Sequence, residues 1–210
     1  MSKNKKEFEM KTFKIITLGD SGVGKTSILK RFVSNTFELS TISTIGFETS
    51  TKEIILKNGN IIRLQLIDTA GQENYQALTN TYIRNADGAL FIFSHDSKQS
   101  FNNIKRWLNS FKDNNQNIDL DKEFPGFLVG NKCDLEHVID NNEIESLKNE
   151  NNFFGYADTS AKNDIGINHL FYEIGEMFTK IEGKNNNKNQ HVLVLSKYKK
   201  GKKRGFCCTA

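Results

Sequence analysis

The residues best suited to chemistry in this sequence form one short stretch near the amino end. They match the pattern G-x-x-x-x-G-K-[ST] and comprise Gly19, Asp20, Ser21, Gly22, Val23, Gly24, Lys25 and Thr26. Glycines in such a turn let backbone N–H groups curl around phosphate oxygens, and the start of a following helix adds favourable partial charge. Lys25 could reach the β- and γ-phosphates, and the Thr26 hydroxyl could coordinate Mg²⁺. The stretch predicts a nucleoside-phosphate site, with the adjacent Ser27 included in the binding set.

The elements on either side of this turn decide whether the pattern has a mechanism. An apolar run from Phe13 to Leu18 predicts a strand before it, and apolar residues recur at helical spacing from Ser27 to Val33 after it. A strand, a glycine-rich turn and a helix start are the context in which the pattern binds phosphate. A chance glycine turn is therefore the weaker interpretation.

The rest of the chain predicts strands that alternate with helices. Two strands, Thr49 to Leu56 and Ile61 to Asp68, are joined by a turn at Asn58-Gly59 and should form one antiparallel pair. Further strands are predicted at Ala89 to Phe93, from Phe127 onward and near Gly155 to Ala157, and helices around Phe101 to Phe111, from Asn141 to Glu150 and around Ile167 to Phe178. The fold class is thus α/β, a mostly parallel six-stranded sheet with one antiparallel edge strand and helices on both faces.

Two further features of the sequence predict structure and indicate no function. A polar loop is predicted from Asp113 to Glu123, closed by the sole proline, Pro125. Trp107 falls on the apolar face of its helix and is expected in the core, with no role as a ligand platform.

Polar residues follow the strand that ends near Asp68, at the edge where ligands bind in such sheets. Asp68 is placed to hold Mg²⁺ through water as the acidic partner of Thr26. Gly71 could bring its N–H to a γ-phosphate oxygen, since glycine permits close backbone approach. Gln72, directly after it, could orient an attacking water. Gln72, Gly71 and Lys25 are the candidate catalytic set.

A second polar string indicates which base is bound. It follows a buried strand and reads Asn131, Lys132, Cys133, Asp134. A carboxylate can accept two hydrogen bonds from the N1–H and exocyclic amine of guanine, and adenine offers no such pair at that edge. Asp134 is therefore predicted to read guanine, Lys132 to lie over the ring and Asn131 to tie loops together. Ser160, Ala161 and Lys162 fit a loop that presents a backbone N–H to the guanine carbonyl.

Charge and cysteine usage point to a membrane surface. The 210-residue chain has a net charge of +4, yet the residues from 183 onward hold eight lysines and arginines and no acidic residue, so the rest is net acidic. A basic tail suits nucleic acid or an anionic membrane. Of three cysteines, Cys207 and Cys208 are adjacent near the end, which is neither a disulfide framework nor a metal site. Nucleic-acid binding would leave them idle, so membrane attachment by lipidation is favoured.

No apolar run is long enough to span a membrane, and the first eleven residues lack the apolar core of a signal peptide. We therefore expect a protein at the cytoplasmic face of an intracellular or plasma membrane that cycles with the cytosol. The predicted organisation is an extension at 1–11, a nucleotide-binding domain at 12–181 and a flexible basic tail at 182–210.

In their order and spacing, these motifs resemble the Ras superfamily of small GTPases. Ser43-Thr44-Ile45-Gly46, Asp68-Thr69-Ala70-Gly71-Gln72-Glu73, Ser100-Phe101-Asn102-Asn103 and the double-cysteine end resemble the Rab branch, and the resemblance spans about Phe13 to Phe178. It implies a GTP-hydrolysing switch that regulates vesicle traffic, with Mg²⁺ as cofactor and GTP or GDP as bound nucleotide.

The resemblance assigns further roles. Thr44 would ligate Mg²⁺ and sense the γ-phosphate, Phe37 would lie beside the guanosine, and Tyr75 to Ile83 would form the second switch. Implied partners are exchange factors, GTPase-activating proteins, effectors and prenyl-binding escort proteins, with a monomeric GTPase domain and no nucleic acid. Rab proteins usually recognise effectors through a triad of aromatic residues, with Phe at the position of Thr49 and Trp at the position of Ile67. Only the third member, Tyr82, remains in this chain.

Several alternatives stay open from the sequence. As a C-a-a-X box, Cys207 alone would be farnesylated, as in a Ras-type signalling protein, whereas a Rab-type end would carry geranylgeranyl on both cysteines. A scaffold that binds GTP without turnover would leave Gln72 unexplained. A nucleotide kinase of the same phosphate-loop class would leave Asn131 to Asp134 unexplained. No arginine in the motifs is placed to act on the γ-phosphate, so hydrolysis should need an arginine from a partner.

Overall fold

Six strands form one sheet in the order β2-β3-β1-β4-β5-β6. The computed structural model describes residues 10–39, 46–69, 81–84, 86–115 and 124–181. The strands are β1 (Lys11–Leu18), β2 (Phe47–Ile55), β3 (Ile61–Thr69), β4 (Gly88–Ser94), β5 (Phe124–Asn131) and β6 (Phe153–Asp158). The helices described at full length are α1 (Lys25–Ser34), α2 (Lys98–Asn102), α3 (Ile104–Asn114), α4 (Asn141–Glu150) and α5 (residues 167–181), and residues 81–83 are also helical.

The edge strand β2 pairs antiparallel with β3, and every other neighbouring pair of strands is parallel. The β2–β3 turn is tight because Gly59 adopts a φ of 80°, a region that glycine enters without steric cost. The predicted α/β class, with one antiparallel edge strand, is confirmed.

Two apolar cores lie on opposite faces of the sheet. Successive residues of β1 show the division, because Ile15 belongs to one core and Ile16 to the other. Helices α1 and α5 cover the first core through residues such as Phe32 and Phe171, whose rings stack at 3.8 Å. Helices α2, α3 and α4 cover the second core. Helices on both faces leave the carboxyl ends of the strands as the open edge for a ligand.

The structure corrects the prediction at Pro125. The residue lies inside β5, which begins at Phe124, and does not close a preceding loop. The register between β5 and β6 is irregular between Phe124 and Phe127, so the missing N–H of Pro125 falls where regular pairing is interrupted. The strand starts early because the Phe124 ring is fully buried in the second core.

The helical segment predicted around Phe101 to Phe111 is divided into α2 and α3 at Asn103. Its apolar face is buried as predicted, and Trp107 is 6% exposed. No helix in the described part of the chain is both long and apolar enough to cross a bilayer.

Candidate functional site

The glycine-rich stretch forms the turn between β1 and α1, and its backbone is open for an anion. Gly19, Gly22 and Gly24 have φ values of 153°, 80° and 97°. No side chain caps the start of α1, so its first backbone N–H groups keep their capacity to bind a ligand. A Cβ atom on Gly24 would lie 2.2 Å from Nδ2 of Asn131, so the turn also packs closely against the end of β5.

Lys25 folds back across this turn. Its Nζ donates hydrogen bonds to the carbonyl oxygens of Gly19 at 2.9 Å and Asp20 at 2.8 Å, and the residue is 5% exposed. Burial lowers the pKa of Lys25 to about 8, although the charges of Asp68 and Asp20 oppose the shift. A buried ammonium group of this kind gains strongly from a nearby anion.

Thr26 and Asp68 place hard oxygen atoms next to Lys25. The Thr26 hydroxyl donates to Oδ2 of Asp68 at 2.6 Å, and the Thr17 hydroxyl lies 3.4 Å from Oδ1. Burial raises the pKa of the Asp68 carboxyl, although the hydrogen bond from Thr26 and the charge of Lys25 oppose the rise. A buried carboxylate beside a hydroxyl is stabilised by a hard divalent cation, so these two residues fit Mg²⁺.

Asn131 links the phosphate turn to the loop after β6. Its Nδ2 donates to the carbonyl oxygen of Val23 at 2.8 Å. Its Oδ1 accepts from the Thr159 hydroxyl at 3.2 Å and from the Ala161 N–H at 3.4 Å. The residue is 2% exposed, so it joins the phosphate turn, the end of β5 and the loop after β6 at one buried point.

Asp134 and Ser160 face each other across the two loops predicted to hold the base. The Ser160 hydroxyl donates to Oδ1 of Asp134 at 2.5 Å, and the Cys133 N–H donates to the carbonyl oxygen of Thr159 at 3.0 Å. Lys132 has a φ of 60°, and its Nζ lies 3.8 Å from Asp96. The Asp134 carboxylate and the Ser160 hydroxyl thus lie in direct contact between the loop after β5 and the loop after β6.

The remaining predicted residues are divided between the described part and the rest of the chain. Ser27 lies in α1, and Phe37 is partly buried against the first core. Lys162 is exposed. Thr44, Gly71, Gln72, Cys207, Cys208 and the first part of the predicted second switch lie outside the described residues.

Three partners of the site were not predicted from the sequence. Arg31 of α1 donates to the carbonyl oxygens of Ala161 at 2.8 Å and Lys162 at 3.3 Å. Asp20 accepts from the indole N–H of Trp107 at 2.9 Å and from Asn103 at 2.7 Å. The carboxylate of Asp20 predicts that hydrogen-bond donors lie nearby. The sequence does not identify them, because Asn103 and Trp107 are more than 80 positions away.

The residues around Tyr82 differ from the aromatic triad that is usual in Rab proteins. Thr49 and Ile67 are directly paired across β2 and β3, and Ile67 is buried. Phe47 instead places an exposed ring 3.9 Å from the ring of Tyr82. This aromatic pair was not anticipated, because Phe47 lies outside the three triad positions.

The fold and the glycine-rich phosphate turn define a P-loop GTPase. Residues 14–180 match the family described as "Ras family", so the chain belongs to the Ras family. It is similar to the Ras-related protein RGP2 of Oryza sativa subsp. japonica, with 40% identity over 164 residues that cover 77% of this chain and 72% of that protein. The Ras-related protein Rab-11B of Dictyostelium discoideum is 35% identical over 191 residues, covering 87% and 84%. The Ras-related protein YPTC6 of Chlamydomonas reinhardtii is 35% identical over 210 residues, 94% of each chain.

These relatives place the chain more narrowly. It is a Rab-type small GTPase of the Ras superfamily and an enzyme that hydrolyses GTP.

Proposed function

We propose that this protein is a Mg²⁺-dependent GTP switch that regulates membrane traffic and is held at the cytoplasmic face of a membrane by its lipidated tail. The observation that carries the nucleotide part is the convergence of Lys25, Thr26, Asp68, Asn131 and Asp134 at the carboxyl edge of the sheet. Phosphate, metal and base would each meet the side-chain chemistry that binds them there.

The phosphate end of the site would use residues that are already preorganised. The backbone N–H groups of the glycine-rich turn would cradle the phosphate oxygens, and Lys25 would exchange its two carbonyl partners for the β- and γ-phosphates. Thr26 and Thr44 would bind Mg²⁺ directly, and Asp68 would do so through water. The bound Mg²⁺ would neutralise charge that develops on the transferred phosphoryl group.

The switch would depend on residues that contact only the γ-phosphate. Thr44 and Gly71 would be held while GTP is bound and released after hydrolysis, which would change the surface seen by partners. Gln72 would orient the attacking water. Because the motifs provide no arginine at the γ-phosphate, a GTPase-activating protein would supply one, with a gain of about 10³ to 10⁵ in rate.

The base end of the site gives the sharpest test of nucleotide identity. Asp134→Asn replaces a carboxylate acceptor with an amide that also donates, so the pair of donors on guanine loses its partner while the carbonyl of xanthine gains one. We expect the variant to lose most GTP affinity and to gain affinity for xanthosine triphosphate. Equal GTP affinity in the wild type and the variant would contradict the assigned role of Asp134.

The traffic role rests on the Rab-type relatives and on the tail. Cys207 and Cys208 would carry prenyl groups, and the preceding lysines would add attraction to anionic lipid. The tail would be bound by escort proteins while the protein cycles through the cytosol. Localisation of a fluorescently tagged chain, compared with a Cys207→Ser, Cys208→Ser variant, tests this part. A punctate pattern on vesicles that becomes diffuse in the variant is expected, and an identical distribution would contradict it.

A further inference from the structure

A cluster of a buried histidine, His95, a half-buried tyrosine, Tyr156, and an exposed carboxylate, Asp158, lies against the loops proposed to hold guanine. Nε2 of His95 is 2.6 Å from Oδ1 of Asp158, and the Tyr156 hydroxyl donates to the same oxygen. His95 is 1% exposed. The cluster packs on Gly130, where a Cβ atom would lie 2.4 Å from Nε2 of His95. It therefore adjoins Asn131, and Asp158 itself directly precedes the loop at Thr159.

The first of the two loops proposed to hold the base begins at the end of β5 and runs from Asn131 to Val138. The backbone of His95 forms hydrogen bonds with both ends of this loop. Its N–H donates to the carbonyl oxygen of Asn131 at 2.9 Å, and its carbonyl oxygen accepts from the Val138 N–H at 3.0 Å. Within that loop, the His137 ring stacks on the His95 ring with centroids 3.9 Å apart and planes 13° apart. Nε2 of His137 lies 3.2 Å from the carbonyl oxygen of Cys133, to which it can donate. The stacked pair thus braces the segment that carries Asp134.

The hydrogen bonds indicate where protons lie in this cluster. Burial opposes ionisation of Asp158, but hydrogen bonds from His95 and Tyr156 lower the pKa of its carboxyl below the usual value. Burial raises the pKa of Tyr156, and its hydrogen bond to Asp158 raises it further, so its hydroxyl remains a neutral donor. Because Asp158 is an acceptor, the hydrogen of a neutral His95 ring is assigned to Nε2. A further proton would enter at Nδ1, which is buried and has no hydrogen-bond partner.

One positive charge on the stacked pair of His95 and His137 is stabilised, whereas two positive charges repel each other. A single charge on His95 is compensated by the adjacent Asp158 carboxylate. A second charge at a ring separation of 3.9 Å is repulsive. His137 is exposed, so it can relieve the repulsion by moving into water. The other ionisable groups on the surrounding elements include Asp96 after β4, Glu145 on α4 and, on the loop after β5, Lys132, Cys133, Asp134 and Glu136.

We propose that His95 and His137 are positioning residues for the guanine-binding loops, and that a second proton on this stacked pair speeds the release of bound guanine nucleotide. The inference rests on the proposed binding of guanine by Asp134. Displacement of His137 removes its bond to the Cys133 carbonyl and one brace of the segment between Asn131 and Val138. Acid would therefore favour exchange of GDP through the base end of the site, in loops that contain neither Lys25 nor Asp68.

The test measures release of a fluorescent methylanthraniloyl-GDP from the full chain, at constant Mg²⁺ and with excess unlabelled GDP, at pH 7.5 and 5.5. His137→Gln retains an N–H donor for the Cys133 carbonyl but cannot take up a proton. The phosphates of GDP titrate equally in both proteins, so the variant supplies the baseline. We expect the rate ratio between pH 5.5 and 7.5 to be about tenfold larger in the wild type, the effect of roughly one unit of differential protonation.

Controls separate this inference from general effects of acid. His169→Gln, at an exposed position of α5, should behave as the wild type. The Cε1–H resonances of His95 and His137 should titrate in a coupled manner, and the His95 resonance should lose that coupling in His137→Gln. Equal rate ratios in the wild type and His137→Gln, or an unchanged His95 titration, would overturn the proposal. Failure of the wild type to bind the labelled GDP at any pH would instead overturn the proposed function, and this inference with it.

Discussion

The indole Nε1–H of Trp107 donates a 2.9 Å hydrogen bond to Oδ1 of Asp20, which connects α3 to the phosphate turn. The other carboxylate oxygen of Asp20 accepts from Nδ2 of Asn103 at 2.7 Å, at the start of the same helix. Asp20 is part of the turn whose backbone would hold phosphate. A core helix therefore fixes the conformation of a turn that glycine alone would leave free.

The first prediction concerns this connection. Trp107→Phe keeps an aromatic ring in the second core but removes the donor to Asp20. We expect unfolding free energy to fall by about 1–3 kcal/mol, from one charge-assisted hydrogen bond and a smaller ring. GDP release should become several times faster. Urea unfolding and the release of a fluorescent nucleotide check the two effects. A double-mutant cycle with Asp20→Asn should give a non-zero coupling energy, and strictly additive effects would contradict the connection.

The second prediction concerns the buried charge of Lys25. Its pKa falls to about 8 in the folded protein from an ordinary value of 10.5, so the unfolded chain binds more protons between these pH values. Stability of the nucleotide-free protein should therefore rise with pH across that window. Lys25→Met removes the buried charge but also the two hydrogen bonds of the ammonium group. The net effect should be an increase in unfolding free energy of about 1–3 kcal/mol at pH 7. The same variant should lose nucleotide binding.

Lys30→Met is the matched control, since Lys30 lies on the same helix with a side chain 39% exposed. Denaturant unfolding at pH 7 and pH 10 separates the two variants. The advantage of Lys25→Met should shrink at pH 10, because the wild-type lysine is then largely neutral in the fold. A Lys25→Met protein that is less stable than Lys30→Met at pH 7 would argue against a destabilising charge.

Local signals account for the elements that the sequence predicted well. Helix α4 begins at Asn141 and ends at Glu150, as predicted, because Asp140 and Glu143 form a capping box at its start. The antiparallel edge was predicted because Asn58-Gly59 favours a tight turn, and the structure has the positive φ of Gly59 that such a turn requires.

Long-range contacts account for what was missed. Asp20 and Trp107 are 87 positions apart, and His95 and Asp158 are 63 apart, so no periodicity or turn residue relates them. Trp107 fitted a core position equally well with or without its bond to Asp20. The sequence places Pro125 at the close of a polar loop, and only the register of β5 against β6 shows the irregularity that admits it to a strand.

The third prediction concerns Gln72, whose place lies outside the described residues. If its amide orients the attacking water, Gln72→Leu should slow single-turnover GTP hydrolysis by at least about tenfold, with nucleotide affinity unchanged. The GTP-bound form would then accumulate. Phosphate release after mixing GTP-loaded protein with Mg²⁺ measures the rate. Unchanged hydrolysis in the variant would remove Gln72 from the mechanism.

The fourth prediction concerns the tail cysteines. Two geranylgeranyl groups on Cys207 and Cys208 would leave Thr209 and Ala210 in place, whereas a processed C-a-a-X end would carry one farnesyl group and lose Cys208, Thr209 and Ala210. Intact mass of the protein purified from membranes separates these outcomes, and we expect the double modification. Two chains anchor stably where one alone is marginal, so salt extraction should leave the protein on the membrane.

The fifth prediction tests the close approach of the phosphate turn to Asn131. Gly24 and Gly59 have φ values of 97° and 80°, so alanine at either position costs about 1 kcal/mol of backbone strain. A Cβ at Gly24 would also lie 2.2 Å from Nδ2 of Asn131, whereas nothing lies within 4 Å at Gly59. Gly24→Ala should therefore cost about 2 kcal/mol more unfolding free energy than Gly59→Ala, by displacing the side chain that joins the loops. Nucleotide affinity should fall in Gly24→Ala alone, and an equal loss in both variants would mean that the contact with Asn131 contributes nothing to binding.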